Sequence, residues 1–239
     1  MLQALIFDVD GTLADTESAH RAAFNHAFSE EGLDWEWDEP LYTDLLDISG
    51  GKERIAHYWK HTRGDIVGID AHAIKDTIVR LHEIKTAAYE AMVNDGLVAL
   101  RPGVLALIES AHAQGLSLAI ATTTSPVNIA SLLRRAIGLH WRSVFGVVED
   151  ASTAPIKKPN PQVYRQTLQR MGVAPERCLA FEDSSNGLKA ALAAGLSTVI
   201  TPTHFTAHHD FSGALRVLPD LGSTSVADLR IWHSPAREF

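Results

Sequence analysis

Along the chain, short runs of consecutive apolar residues end abruptly in polar ones: Leu5-Ile6-Phe7 before Asp8, Leu118-Ala119-Ile120-Ala121 before Thr122, and Cys178-Leu179-Ala180-Phe181 before Glu182. A fourth run, Leu196 to Ile200, stops before Thr201 and Pro202, and a fifth, near Leu215 to Leu218, stops at Pro219. Continuous apolarity over so few residues predicts strands covered on both faces. Between the runs lie segments of helical period. These are Val104, Leu105, Leu107, Ile108 and Ala111 before Gly115; Val163, Tyr164, Leu168 and Met171 before Gly172; and Leu188, Ala191 and Leu192 before Gly195. Each ends at a glycine, as helices often do. Strands alternating with helices predict an α/β fold with a Rossmann-like parallel sheet flanked by helices on both faces.

The rhythm breaks between about Asp15 and Leu100, where only helical patterns occur: Ala19 to Phe28, Leu41 to Ile48, Ile55 to Trp59, and a long stretch carrying Ile74, Ile78, Leu81, Ile84, Ala88 and Met92. An all-helical cap domain inserted after the first strand accounts for this. The expected division is 1–14 with 101–239 as the α/β core and 15–100 as the helical cap, with Arg101-Pro102-Gly103 as the return hinge and Gly64-Asp65 as a helix break. Internal repeats and low-complexity segments are absent from the sequence.

Composition narrows the partners. The chain has 239 residues and a formal net charge of −8, and no run of Lys or Arg offsets that balance. Nucleic acid is therefore not an expected partner. No apolar stretch approaches the ~20 residues of a membrane span, and the first residues lack the basic and cleavage regions of a signal peptide. Cys178 is the single cysteine, which excludes an internal disulfide and any multi-cysteine metal site. A cytoplasmic monomer acting on a small molecule is the expectation.

In open parallel sheets, ligands bind beyond the carboxyl ends of the strands. The residues expected there are Asp8 and Asp10, Thr122, Glu182 and Asp183, with Lys158 in a loop before a helix. Asp8 and Asp10 are two apart on extended chain and share a face, while Gly11 permits a tight exit turn. Two neighbouring carboxylates repel unless a cation joins them. Asp8, Asp10, Glu182 and Asp183 offer hard oxygen ligands with neither histidine nor thiolate, a set that favours Mg²⁺ over zinc. A metal so held neutralises a phosphoryl group while one aspartate attacks and the other moves protons. Lys158 and Thr122 would add a positive charge and a hydroxyl donor. Each piece alone has a plainer reading. D-x-D-G is a common turn, Glu182-Asp183-Ser184 and Thr122 to Ser125 resemble helix caps, and Lys158 before Pro159 suits a solvated loop. Their conjunction, in order and at strand ends, favours chemistry.

FDVDGTL at Phe7 to Leu13, the threonine in AIATTTS, KKPNPQVY at Lys157 to Tyr164 and FEDSSNGLKAALAAG at Phe181 to Gly195 resemble the four motifs of the haloacid dehalogenase superfamily. The resemblance implies a nucleophilic Asp8 that forms an aspartyl-phosphate, Asp10 as general acid/base, and Thr122 and Lys158 as phosphate-binding groups, with Thr123 a further substrate contact. It implies Asp183 as a Mg²⁺ ligand supported by Glu182. Dehalogenases need no metal and lack the second aspartate, so Asp10 points to phosphoryl transfer. The helical insert is similar to the cap of the β-phosphoglucomutase-like branch.

A cap that closes over such a site must choose the substrate. Ser49-Gly50-Gly51-Lys52-Glu53-Arg54 opens a helix with free N–H groups and nearby cations, suited to an anion, although an ordinary solvated helix start reads the same way. Glu17 and His20 fall where substrate contacts are expected, or simply in an exposed first turn. With His82, Lys85 and AHHDF at Ala207 to Phe211, this stretch resembles the CbbY-like sugar phosphatases, which remove the 1-phosphate of xylulose-1,5-bisphosphate. That likeness implies that Glu17 meets sugar hydroxyls and that Lys52, Arg54, His82 and Lys85 help hold the distal phosphate or the sugar. Gly51 stands where the mutases of the branch carry an arginine, which favours hydrolysis over a mutase reaction. His57 and His61 have metal-ligand spacing without a third ligand. His204, His208 and His209 suit either metal or a polar loop, and Trp35 and Trp37 suit packing at a helix junction.

Overall fold

The structure is a computed structural model that describes residues 1–63 and 71–234; the helix break expected at Gly64-Asp65 lies outside the described residues. The chain divides into two compact units, Met1–Asp15 with Ala99–Phe239, and Thr16–Val98.

In the first unit, β1 (Ala4–Phe7), β2 (Ser117–Ala121), β3 (Val147–Glu149), β4 (Cys178–Glu182), β5 (Ser197–Ile200) and β6 (Arg216–Val217) form one sheet in the order β3-β2-β1-β4-β5-β6. Every pairing is parallel. β1 is central and wholly buried, with Phe7 level with Ile120 on one side and Phe181 on the other. That shared register makes the chain leave the sheet at one level after Phe7, Ala121 and Glu182, which places the polar residues following each apolar run at one edge. β3 is the strand that the hydrophobic pattern did not announce. It has three residues at the sheet margin, two of them half-buried, and its last is the acidic Glu149.

The second unit consists of α1 (Glu17–Glu30), α2 (Glu39–Leu45), α3 (Gly51–Arg63) and α4 (Ala71–Asn94). α1 buries Ala23, Phe24, Ala27 and Phe28, and α4 buries Leu81, Tyr89 and Val93. Over its 24 residues, packing of this apolar face, more than helix propensity, fixes the position of α4. Trp35 and Trp37 are buried in the core of this unit, Trp37 lying 4.7 Å from Phe24 and 4.9 Å from Phe28 between ring centroids. The Asn25 amide fixes the loop by accepting from the Trp37 N–H at 2.8 Å and donating to its carbonyl at 2.9 Å.

The chain then continues through α5 (Val104–Ala113), α6 (Pro126–Ala136), α7 (Trp141–Val144), α8 (Gln162–Met171), α9 (Ser185–Ala193) and α10 (Val226–His233). Ser125, Ser184 and Ser225 cap α6, α9 and α10 by accepting backbone N–H groups. Among the described residues, no helix is long and apolar enough to cross a membrane. The Cys178 thiol opens β4, is fully buried, and donates to the Ala174 carbonyl. Burial, with Glu176 adding, pushes its pKa up to about 12. The thiol therefore stays protonated across the neutral range, and a protonated buried thiol is a poor nucleophile. We expect no reaction of native protein with a disulfide reagent at pH 8, and release of one equivalent of chromophore once the chain is unfolded in guanidinium.

Candidate active site

Three strand ends and one loop build the site. Asp8 directly follows β1 and its N–H donates to the Phe181 carbonyl at 3.0 Å, while Glu182 ends β4 and Asp183 follows it. Lys158 enters from the loop before α8. Its Nζ donates to Asp8 Oδ1 and Glu182 Oε1, both at 2.6 Å, and to the Ala121 carbonyl at 2.9 Å. An ammonium has three protons, and all three have acceptors here. The Tyr164 hydroxyl, on the first turn of α8, donates to the same Glu182 oxygen at 2.5 Å. In the sequence Tyr164 was legible as an apolar position of α8 and as the last residue of KKPNPQVY; a hydroxyl on that buried face was the available signal.

Two glycines are required by close approach. Gly11 has φ +75°, and a Cβ there would stand 2.2 Å from Asp183 Oδ2. A Cβ on Gly187 would stand 1.9 Å from Glu182 Oε2. The turn after Asp10 and the first turn of α9 therefore close directly on the two acids. Thr206 also donates to Asp183 Oδ2, at 3.4 Å, a contact that the sequence did not signal. Asp10 is half-buried in a tight turn in which Gly11 N–H donates to the Ala14 carbonyl at 2.9 Å. Thr122 is buried at the end of β2, with its N–H on the Glu149 carbonyl, and Thr123 beside it is half-buried. Ser125 and Ser184, rather than Thr122 or Asp183, are the helix caps, so the capping readings do not absorb the candidate residues.

Burial pushes Asp8 up to about 8; Lys158 opposes this, and Glu182 and Asp10 add to it. Burial also works against the Lys158 charge, but Asp8 and Glu182 outweigh it and hold the ammonium above its ordinary range. Asp8, Glu182 and Asp183 can each offer a ligand atom, all within 4.8 Å of one another, and they form the one such group among the described residues. Hard oxygens in a buried, net-negative cluster fit a small divalent cation. A cation entering here competes with the proton that the elevated Asp8 pKa retains. Magnesium binding near pH 7 should therefore release protons, seen as calorimetric heats that change with buffer ionisation enthalpy, and should tighten as pH rises towards 8 and weaken as it falls.

The helical unit holds the remaining candidates. Glu17 is buried and accepts from the Tyr42 hydroxyl at 2.6 Å; that hydroxyl accepts from Arg54 Nη1 at 3.1 Å. Arg54 also donates from Nε to the Leu45 carbonyl and from Nη2 to the Ile48 carbonyl, so every guanidinium nitrogen has an acceptor in this unit. Lys85 Nζ lies 2.9 Å from His20 Nδ1, and the His20 ring stacks on Tyr89 at 4.0 Å. Phe24 joins the two groups, with the Arg54 guanidinium 6.0 Å and the Lys85 ammonium 5.0 Å from its centroid. A Cβ on Gly51, at the start of α3, would meet the His82 ring at 2.9 Å. Gly50 precedes it, half-buried, and Lys52 is exposed. His57 and His61 stack on each other at 4.0 Å, with His61 Nδ1 2.8 Å from the His57 carbonyl, and join no metal-capable group among the described residues. His209 Nδ1 accepts from the Ser185 N–H, in the loop after β5.

A family model described as haloacid dehalogenase-like hydrolase matches residues 2–195. The chain belongs to the haloacid dehalogenase-like hydrolases. It is a phosphatase of that family. The plasmid CbbY protein of Cupriavidus necator is 51% identical over 97% of this chain and 97% of its own length. CbbY from Rhodobacter sphaeroides, solved with phosphate, superposes with a TM-score of 0.88 at 42% identity, covering 96% of this chain and 100% of that one. A mutant of the same protein, solved with xylulose-(1,5)bisphosphate, gives the same TM-score and identity over 96% and 99%. A phosphorylated carbohydrates phosphatase of Thermotoga maritima is 30% identical over 85% of this chain and 86% of its own. The α/β fold of these hydrolases is thus the fold of this chain.

Proposed function

We propose that this phosphatase hydrolyses a phosphorylated sugar through an aspartyl-phosphate on Asp8, with xylulose-1,5-bisphosphate as the substrate and its 1-phosphate as the group removed. The carrying observation is the Lys158 ammonium bonded at once to Asp8 and Glu182, with Asp183 alongside. The relatives named above, one of them solved with that bisphosphate, support the substrate.

Asp8, Asp10, Glu182 and Asp183 would hold a magnesium ion, which when bound would supply positive charge against the phosphoryl group. Lys158 fixes the Asp8 carboxylate and sets its positive charge beside the phosphoryl group, while the Thr122 hydroxyl donates to a non-bridging oxygen. Asp8 attacks phosphorus while the bond to the sugar oxygen breaks, and Asp10 gives that oxygen its proton. Asp10 then takes a proton from water, the water oxygen attacks phosphorus, and the bond to Asp8 breaks, releasing phosphate and restoring the carboxylate.

Selection falls to the helical unit and Thr123. Glu17 reads sugar hydroxyls, while Gly50, Gly51, Lys52, Arg54, His20, His82 and Lys85 hold the distal phosphate. Among the described residues, the buried charged groups of that unit are Arg54, Lys85 and Glu17, a net positive set that favours an anionic ligand. The alternative, a mutase of the β-phosphoglucomutase type, needs a second anion grip where Gly51 stands, and the His82 ring already occupies that space. The enzyme is proposed to act as a cytoplasmic monomer without nucleic-acid or membrane partners.

A phosphate-release screen over pentulose and hexose mono- and bisphosphates with Mg²⁺ should give its highest kcat/KM with xylulose-1,5-bisphosphate; preference for a hexose monophosphate would refute that assignment. Conversion of β-glucose-1-phosphate to glucose-6-phosphate without phosphate release would establish the mutase instead. Asp8→Asn should lower turnover by on the order of 10⁴-fold or more, as removal of a nucleophile does elsewhere, with an unchanged circular dichroism spectrum. Substantial phosphate release by that variant would remove Asp8 from its role.

A further inference from the structure

Arg101 begins the Arg-Pro-Gly segment through which the chain re-enters the core. Its backbone N–H donates to the Leu13 carbonyl at 2.9 Å, beside an antiparallel bridge between Ala14 and Leu100. The side chain reaches three loops that leave the sheet at the carboxyl edge. Nη1 donates to the carbonyls of Gly11 and Thr201 and, at 3.2 Å, to the Thr201 hydroxyl. Nη2 donates to the carbonyls of Pro202 at 2.9 Å and Pro219 at 3.0 Å. These loops follow β1, β5 and β6 respectively.

Two of those carbonyls belong to the segments that hold the acids in place. Gly11 follows Asp10, and its α-carbon packs against the Asp183 carboxylate. Thr201 donates its own N–H to the Glu182 carbonyl at 2.8 Å, one residue before Asp183. One planar guanidinium therefore spans from the turn carrying Asp10 to the strand end carrying Asp183. The bonds to Gly11 and Thr201 both come from Nη1, and Nη2 anchors that nitrogen to the loops after β5 and β6, an anchor that a lysine with its single nitrogen would lack. Burial lowers the Arg101 pKa, against the opposing pull of Asp183, Asp15 and Asp220, yet an arginine stays charged throughout.

We propose that Arg101 is a positioning residue for phosphoryl transfer, setting the spacing between Asp10 and Asp183 through its bonds to Gly11 and Thr201 while touching neither substrate nor metal. This rests on the roles given above to Asp10 and Asp183. Its loss displaces groups that must be placed to a fraction of an ångström, where a shift of about 1 Å costs on the order of 10²-fold in rate.

The test compares Arg101→Ala and Arg101→Lys with the parent enzyme, using p-nitrophenyl phosphate at saturating magnesium, calorimetric titration of Mg²⁺ into each apo protein, and thermal unfolding. The expected result is a kcat lowered by about 10- to 100-fold in both variants, with KM changed by less than about threefold. Magnesium affinity should weaken in both. Adding Arg101→Ala to Asp10→Asn should cost less than it does in the parent, because the two act through one group. The proposal is overturned if either variant keeps kcat within about threefold of the parent, if lysine restores magnesium affinity fully, or if the two losses multiply independently. It is equally overturned if both variants fail to fold, since Arg101 would then hold the fold rather than the spacing. Asp10→Asn alone reports on the chemical reading: full activity there removes Asp10 from its role whatever Arg101 does.

Discussion

Lys158 lies between Asp8 and Glu182, and much of the core unit is arranged to keep it there. Its side chain is 5% exposed, and those of the two carboxylates are 9% and 1% exposed. Removing these charges from water is expensive, and a buried ion pair seldom returns more than it costs. Breaking one by deleting a partner, however, costs about 3–5 kcal/mol because the other charge is stranded. The cluster is thus a commitment of the fold to chemistry, and it holds only while every acceptor is filled. The Ala121 carbonyl and the Tyr164 hydroxyl complete it, one on the ammonium and one on Glu182.

The sheet supplies what this interaction needs. Parallel pairing in common register brings the ends of β1, β2 and β4 to one level, so that Asp8, Thr122 and Glu182 come close although they are far apart in sequence. The approach is then tightened by absence of side-chain volume. At Gly11 and Gly187 a methyl group would coincide with a carboxylate oxygen, so backbone itself forms the wall behind Asp183 and Glu182. A wall of backbone has fixed dipoles and few rotamers, which suits a site where charges must not wander.

Legibility in the sequence followed the physical range of each signal. β1, β2, β4 and β5 were readable because burial on both faces forces unbroken apolar runs. β3 was not, since an edge strand of three residues ending in Glu149 leaves no run to see. The positions of Asp8, Glu182 and Asp183 were readable because each stands where an apolar run ends. The contacts of Tyr164, Thr206 and Arg101 were not, because each residue acts on a group far away in the chain, and sequence spacing carries nothing of tertiary contact. The helical unit shows the same divide. Its four helices are visible as periodicity, but the Glu17–Tyr42–Arg54 chain depends on side-chain directions that periodicity does not encode.

The central place of β1 also governs the order of assembly. Although Ala4–Phe7 precedes every other strand in chain order, its two neighbours in the sheet are Ser117–Ala121 and Cys178–Glu182. During synthesis β1 lacks one neighbour until Ser117–Ala121 has emerged and the other until Cys178–Glu182 has. Such long sequence separation slows folding and prolongs exposure of sticky backbone. The helical unit is compact over one continuous stretch, Thr16–Val98, and is free of that delay. The nascent chain therefore carries a complete helical unit ahead of an incomplete sheet, and chaperone dependence should concentrate on β1.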